Sequence, residues 1–118
     1  MRTRVLVVAS QTASSPELIA AVQERGDAQA TLLVPAAGPG FAGREAAQPR
    51  LEQALSDWRA AGLECRGVIG DQDPLEAVHE VWEPGRFDEV IVSTLPGQSS
   101  KWLRSDLPHR VARLTDVP

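Results

Sequence analysis

Val5-Leu6-Val7-Val8-Ala9 is the stretch that decides the fold, and Ser10-Gln11-Thr12-Ala13 and then Ser14-Ser15-Pro16-Glu17 follow it directly. An unbroken apolar run of five residues reads as a central parallel strand covered on both faces. Ser14 as N-cap with Glu17 three residues on forms a capping box, with Pro16 in the first turn. Leu18, Ala21, Val22 and Arg25 then recur at helical spacing until Gly26. Strand followed at once by helix is the start of a βα unit.

Working outward, the same alternation repeats. Thr31 to Val34 reads as a second strand. Pro35 to Gly43, rich in glycine and proline, is expected to be irregular. Leu51, Ala54, Leu55 and Trp58 make one apolar stripe at helical spacing, with Pro49 expected in or near the first turn and Gly62 at the end. Cys65 to Ile69 is a third strand whose charged flank, Glu64 and Arg66, predicts a sheet edge. Asp73-Pro74-Leu75-Glu76 is the clearest helix start: Asp73 caps, Pro74 fills the first position and Glu76 closes the box. Leu75, Val78 and Trp82 give its buried stripe, and Pro84-Gly85 ends it. Val90 to Val92 is the fourth strand. A last helix is expected from Ser99 or Ser100, with Leu103, Leu107, Val111 and Leu114 on one face. Pro108 either bends it or follows a short turn that starts a second piece. The 118 residues are expected to make one α/β domain, a doubly wound, mostly parallel sheet with helices on both faces.

Composition narrows the partners. Lys plus Arg number 12 against 16 Asp plus Glu, a formal net charge of -4, so there is no footprint for a phosphate backbone and no nucleic-acid partner is expected. The densest basic stretch, Lys101, Arg104, His109, Arg110 and Arg113, is interrupted by Asp106 and reads first as a solvated helix face. The apolar run after the N-terminal arginines is too short for a signal-peptide core or a membrane span. Cys65 is the single cysteine, which excludes an internal disulfide framework, and the cytoplasm is the default location.

In open parallel sheets ligands bind beyond the strand carboxyl ends, where strand order reverses. That points to Ser10, Gln11, Thr12 and Ala13 after the first strand and to Ser93 through Ser100 after the fourth. The second segment feeds a strand end into a loop and a helix N-terminus. Its free N–H groups near Gly97, Gln98 and Ser99 could hold an anion, and the same geometry also serves as plain connection. Other chemistry is missing. No Gly-x-Gly-x-x-Gly follows the first strand, and Gly38, Gly40 and Gly43 read as loop glycines. Asp71 and Asp73 pair in name only, since Asp73 is a cap. His79 and His109 lack cysteine or histidine neighbours at ligand spacing. His109 is about 14 Å along the helix axis from Ser100, too far for proton transfer. Cys65 has no evident activator. No catalytic set and no metal site are predicted.

At these residues the sequence resembles the universal stress protein family, in particular a divergent actinobacterial-type branch. The matching pieces are Val5 to Thr12, Gly70 to Ala77 and Asp88 to Pro118, especially Val90-Ile91-Val92-Ser93-Thr94-Leu95-Pro96-Gly97 and Ser100-Lys101-Trp102-Leu103. The resemblance implies a Rossmann-like domain with strand order 3-2-1-4, a non-enzymatic stress-linked or regulatory role, an adenine nucleotide as cofactor in some members, and a homodimer. Dimers of the family commonly pair through a fifth strand, which would follow Pro118; either the sequence is cut short there or the sheet ends at four strands, and an open edge favours association. Nucleotide-binding members have an aspartate where this chain has Ser10. Their glycine-rich phosphate loop falls on Ser93, Pro96, Ser105 and Asp106. Pro96 removes an N–H, Ser93 and Ser105 add side chains to the backbone cradle, and Asp106 adds like charge. These departures imply a degenerate site, with an adenine nucleotide or another small anion held otherwise than in the family's own ATP mode. The candidate ligand residues are Ser10, Thr12, Ser93, Gly97, Gln98, Ser99 and Ser100. Two other readings remain: an interaction module without a small ligand, and a nucleotide hydrolase.

Overall fold

A computed structural model describes residues 3–93 and 107–115. Its order is β1 (Thr3–Val8), α1 (Pro16–Gln23), β2 (Ala28–Pro35), α2 (Gly40–Ala60), β3 (Glu64–Gly70), α3 (Pro74–Val81), β4 (Glu89–Val92) and α4 (Leu107–Thr115). The four strands form one parallel sheet in the order β3-β2-β1-β4, as the resemblance implies. Val5 to Ala9 are all 0% exposed. The pleat sends Val5, Val7 and Ala9 to one face, where they pack with Leu32, Val34, Leu18, Val22, Leu51, Ala54 and Trp58 under α1 and α2. It sends Leu6 and Val8 to the other, against Leu33, Ala77, Val78, Leu107 and Val111 under α3 and α4. This is the three-layer doubly wound arrangement. Each fully buried aliphatic side chain contributes roughly 1.5–3 kcal/mol, so β1 is costly to disturb. The edge position of β3 also holds.

Several helix ends differ from expectation for local reasons. Ser15, not Ser14, caps α1: its Oγ accepts from the Leu18 N–H at 3.2 Å, and its hydroxyl donates to Glu17 at 2.9 Å. Pro16 occupies the first helical position, so the cap must be the residue directly before it. Asp73 caps α3 as predicted, accepting from Leu75 N at 3.0 Å, but its own N–H goes to Asp71 Oδ1 rather than to Glu76.

The larger difference is α2. It starts at Gly40, so Gly40 to Gly43 are its first turn rather than irregular chain, and Pro49 lies well inside it. Gly43 and Ala47 are buried together with Leu51, Ala54 and Trp58, so burial against the sheet extends the helix through a proline. Pro49 and Glu45, whose carbonyl loses its partner, are both exposed, and water can serve that carbonyl. Gly40 and Gly43 are therefore helical rather than loop glycines. Of α4, Pro108 is the second residue, and its expected start at Ser99 or Ser100 falls outside the described residues.

At the amino end of the sheet two ion pairs tie β4 down. Arg4 meets Asp88 through its backbone N–H (2.8 Å) and its guanidinium (3.2 Å). Arg25 grips Glu89 in a two-point contact, 2.5 and 3.1 Å, from the end of α1. The Arg25 hydrogen bonds hold the Glu89 carboxyl below its ordinary range, and the Arg4 bonds do the same for Asp88. A carboxyl lowered on folding stabilises the protein above its unfolded titration, and that contribution is lost as pH falls through the folded one. Glu89→Gln is therefore expected to cost on the order of 1 kcal/mol at neutral pH and to flatten the acid limb of a stability–pH curve. Thermal melts between pH 7 and 3 check this; an unchanged acid limb would refute it.

Candidate functional site

From β1 the chain crosses to β2 on one side, while β4 pairs with β1 on the other. The strand order thus reverses at the carboxyl ends of β1 and β4, where a crevice opens in such sheets. The ladder runs one residue past each strand, with Ala9 N donating to Leu33 O (3.1 Å) and Ser93 N to Val8 O (2.9 Å). Ser10 then enters a turn closed by Ala13 N to Ser10 O at 3.1 Å, and Ser15 N to Thr12 O (2.9 Å) leads it into α1.

Side chains converge on this turn. Thr12 Oγ1 and Ser93 Oγ are hydrogen-bonded at 2.5 Å, joining the ends of β1 and β4 across 81 residues of sequence. Ser10 Oγ accepts from Arg50 Nη1 at 2.9 Å, from α2. Beneath the turn the buried indole of Trp58 donates to Ala13 O at 2.8 Å. Ser10, Thr12 and Ser93 are thus brought together, as the topology argument requires. Gly97, Gln98, Ser99 and Ser100, with Pro96, Ser105 and Asp106, lie outside the described residues.

Arg50 and Trp58 are the residues that sequence reasoning did not assign to the site. Trp58 was legible as core, yet nothing in a periodic stripe shows that its N–H reaches another element. Arg50 immediately precedes Leu51 of that stripe, which puts it on the flank of the buried face. Its height relative to the end of β1 depends on where α2 starts.

Among the described residues, no histidine or carboxylate is hydrogen-bonded to Thr12 or Ser93 to take a hydroxyl proton. Among the described residues no three His, Cys, Asp or Glu side chains gather into a possible metal cluster. Asp71 and Asp73 are engaged with backbone N–H groups at the start of α3. Burial pushes the Cys65 thiol up, only partly countered by Arg59, so it is a poor nucleophile. No helix among the described residues is long and apolar enough to cross a membrane.

No family model matches the sequence, and no curated protein matches it. Solved structures do. A universal stress protein from Archaeoglobus fulgidus superposes with a TM-score of 0.65 at 15% identity, covering 100% of this chain and 96% of that one. Protein Rv1636 from Mycobacterium tuberculosis H37Rv is a more distant match, with a TM-score of 0.49 at 19% identity over 99% and 92%. At 15% identity the match speaks to architecture, and it agrees with the strand order and the two helical layers. This chain has the universal stress protein fold.

Proposed function

We propose that the protein is a non-enzymatic stress-response or regulatory domain with a degenerate nucleotide-binding cleft at the carboxyl ends of β1 and β4. The observation that carries this reading is the Thr12–Ser93 contact, which lines the point of strand-order reversal with hydroxyls. A pure interaction module would be expected to fill that point with apolar or proline side chains, whereas Ser10, Thr12, Ser93 and Arg50 are all polar. The ligand class is an adenine nucleotide or another small anion, and the working unit is a cytoplasmic homodimer that needs no nucleic acid or membrane.

Isothermal titration with ATP, ADP, AMP and cyclic AMP, with and without magnesium, tests the reading. Expected is weak binding, with Kd on the order of 0.1–1 mM or about -5 kcal/mol, little affected by magnesium. Absence of binding by all four up to millimolar concentration would overturn it.

A further inference from the structure

We infer that the end of β1 recognises the phosphate of a phosphomonoester, through Arg50, rather than a nucleobase. This deepens the proposed function and rests on it. The donor balance of the site carries the inference. Arg50 supplies five N–H donors and no acceptor, and the group it meets is the Ser10 hydroxyl. A hydroxyl satisfies one N–H without neutralising the charge. The ion pairs of Arg4, Arg25 and Arg44 show the alternative use of an arginine in this chain, each on a carboxylate. Ser10, with its hydroxyl oxygen already accepting from Arg50, is left with a hydroxyl proton to give, and the Thr12–Ser93 pair can likewise turn a proton outward.

Such a set is rich in donors and poor in acceptors. A nucleobase is neutral, so it leaves the fixed positive charge of Arg50 without a counter-charge. A phosphate dianion offers several acceptor oxygens and matches the planar guanidinium fork in two-point fashion. Arg50 is exposed, so the anion reaches it without rearrangement of the core.

The test titrates AMP, ribose 5-phosphate and adenosine into the wild-type chain and into Arg50→Gln, Arg50→Lys and Ser10→Asp. Circular dichroism confirms that each variant is folded. Expected is comparable binding of AMP and ribose 5-phosphate and at least tenfold weaker binding of adenosine. Arg50→Gln should weaken both phosphomonoesters roughly tenfold or more, the scale of one charge-assisted contact, and Arg50→Lys less. Ser10→Asp, which would pair Arg50 with a carboxylate, should abolish phosphomonoester binding. If adenosine binds as well as AMP and Arg50→Gln changes neither, the inference falls while the nucleotide cleft stands. If none of the three compounds binds, the inference falls, and the nucleotide cleft falls with it only when ATP, ADP and cyclic AMP also fail to bind.

Discussion

Replacing Trp58 by alanine is expected to lower stability by roughly 4 kcal/mol, out of the 5–15 kcal/mol typical of a domain. Trp58 is the largest fully buried side chain among the described residues and packs in the core that β1 and β2 share with α1 and α2. Truncation removes most of its apolar surface and leaves a cavity that the helix cannot close without moving Leu51 and Ala54. It also strips the Ala13 carbonyl of its indole partner in a residue only 1% exposed. A buried acceptor left bare costs about 1–3 kcal/mol by itself, and this overlaps with the cavity cost rather than adding in full. Trp58→Phe keeps much of the packing, leaves a smaller cavity and removes the N–H; about 1–2 kcal/mol is expected. Urea unfolding of both variants gives the comparison. Equal losses from Phe and Ala would mean that packing is not the main contribution, and a loss below about 2 kcal/mol for Ala would contradict the burial itself.

What was legible in the sequence is what local chemistry dictates. The apolar run at Val5 to Ala9 could only be a covered strand, and Asp73-Pro74 is a helix start whatever surrounds it. Gly62, at φ +86°, ends α2 as a residue without a side chain can. The parallel sheet followed from connection rules and the strand order from the resemblance, and both stand. The misses share a different cause. Glycines and prolines between Pro35 and Pro49 argue locally against a helix, but Gly43 and Ala47 are small residues set close against neighbouring chain. A Cβ on Gly43 would collide with the backbone of Gly38. Tertiary burial therefore outweighs propensity there. The site was half legible for the same reason. Topology alone points to Ser10, Thr12 and Ser93 at neighbouring strand ends. Arg50 arrives from a helix whose start was misplaced, and its contact with Ser10 depends on that register.

Gly70 carries the second large effect, about 2 kcal/mol for Gly70→Ala, and its cause is steric. Its backbone is not in the left-handed region, so alanine is conformationally allowed and gains up to about 1 kcal/mol from a stiffer unfolded chain. Against that gain stands contact: a Cβ at Gly70 would lie 2.6 Å from the Ala77 Cβ, 3.0 Å from Leu33 Cδ1 and 3.2 Å from the Ala77 Cα. The Leu33 methyl can rotate aside; the Ala77 backbone moves only if α3 moves. That helix is eight residues long and is fixed at its start by the Asp73 cap and in its middle by the buried Val78. Gly70 also accepts the Ala36 N–H at 3.0 Å, so the strand cannot retreat without losing a hydrogen bond. A double-mutant cycle decides whether this contact is the cause. Ala77→Gly alone should cost about 1 kcal/mol in helix propensity. In combination with Gly70→Ala it moves a methyl across the same gap, and the pair should cost at least about 1 kcal/mol less than the sum. Costs that simply add would place the damage elsewhere, since only residues sharing that gap can relieve one another.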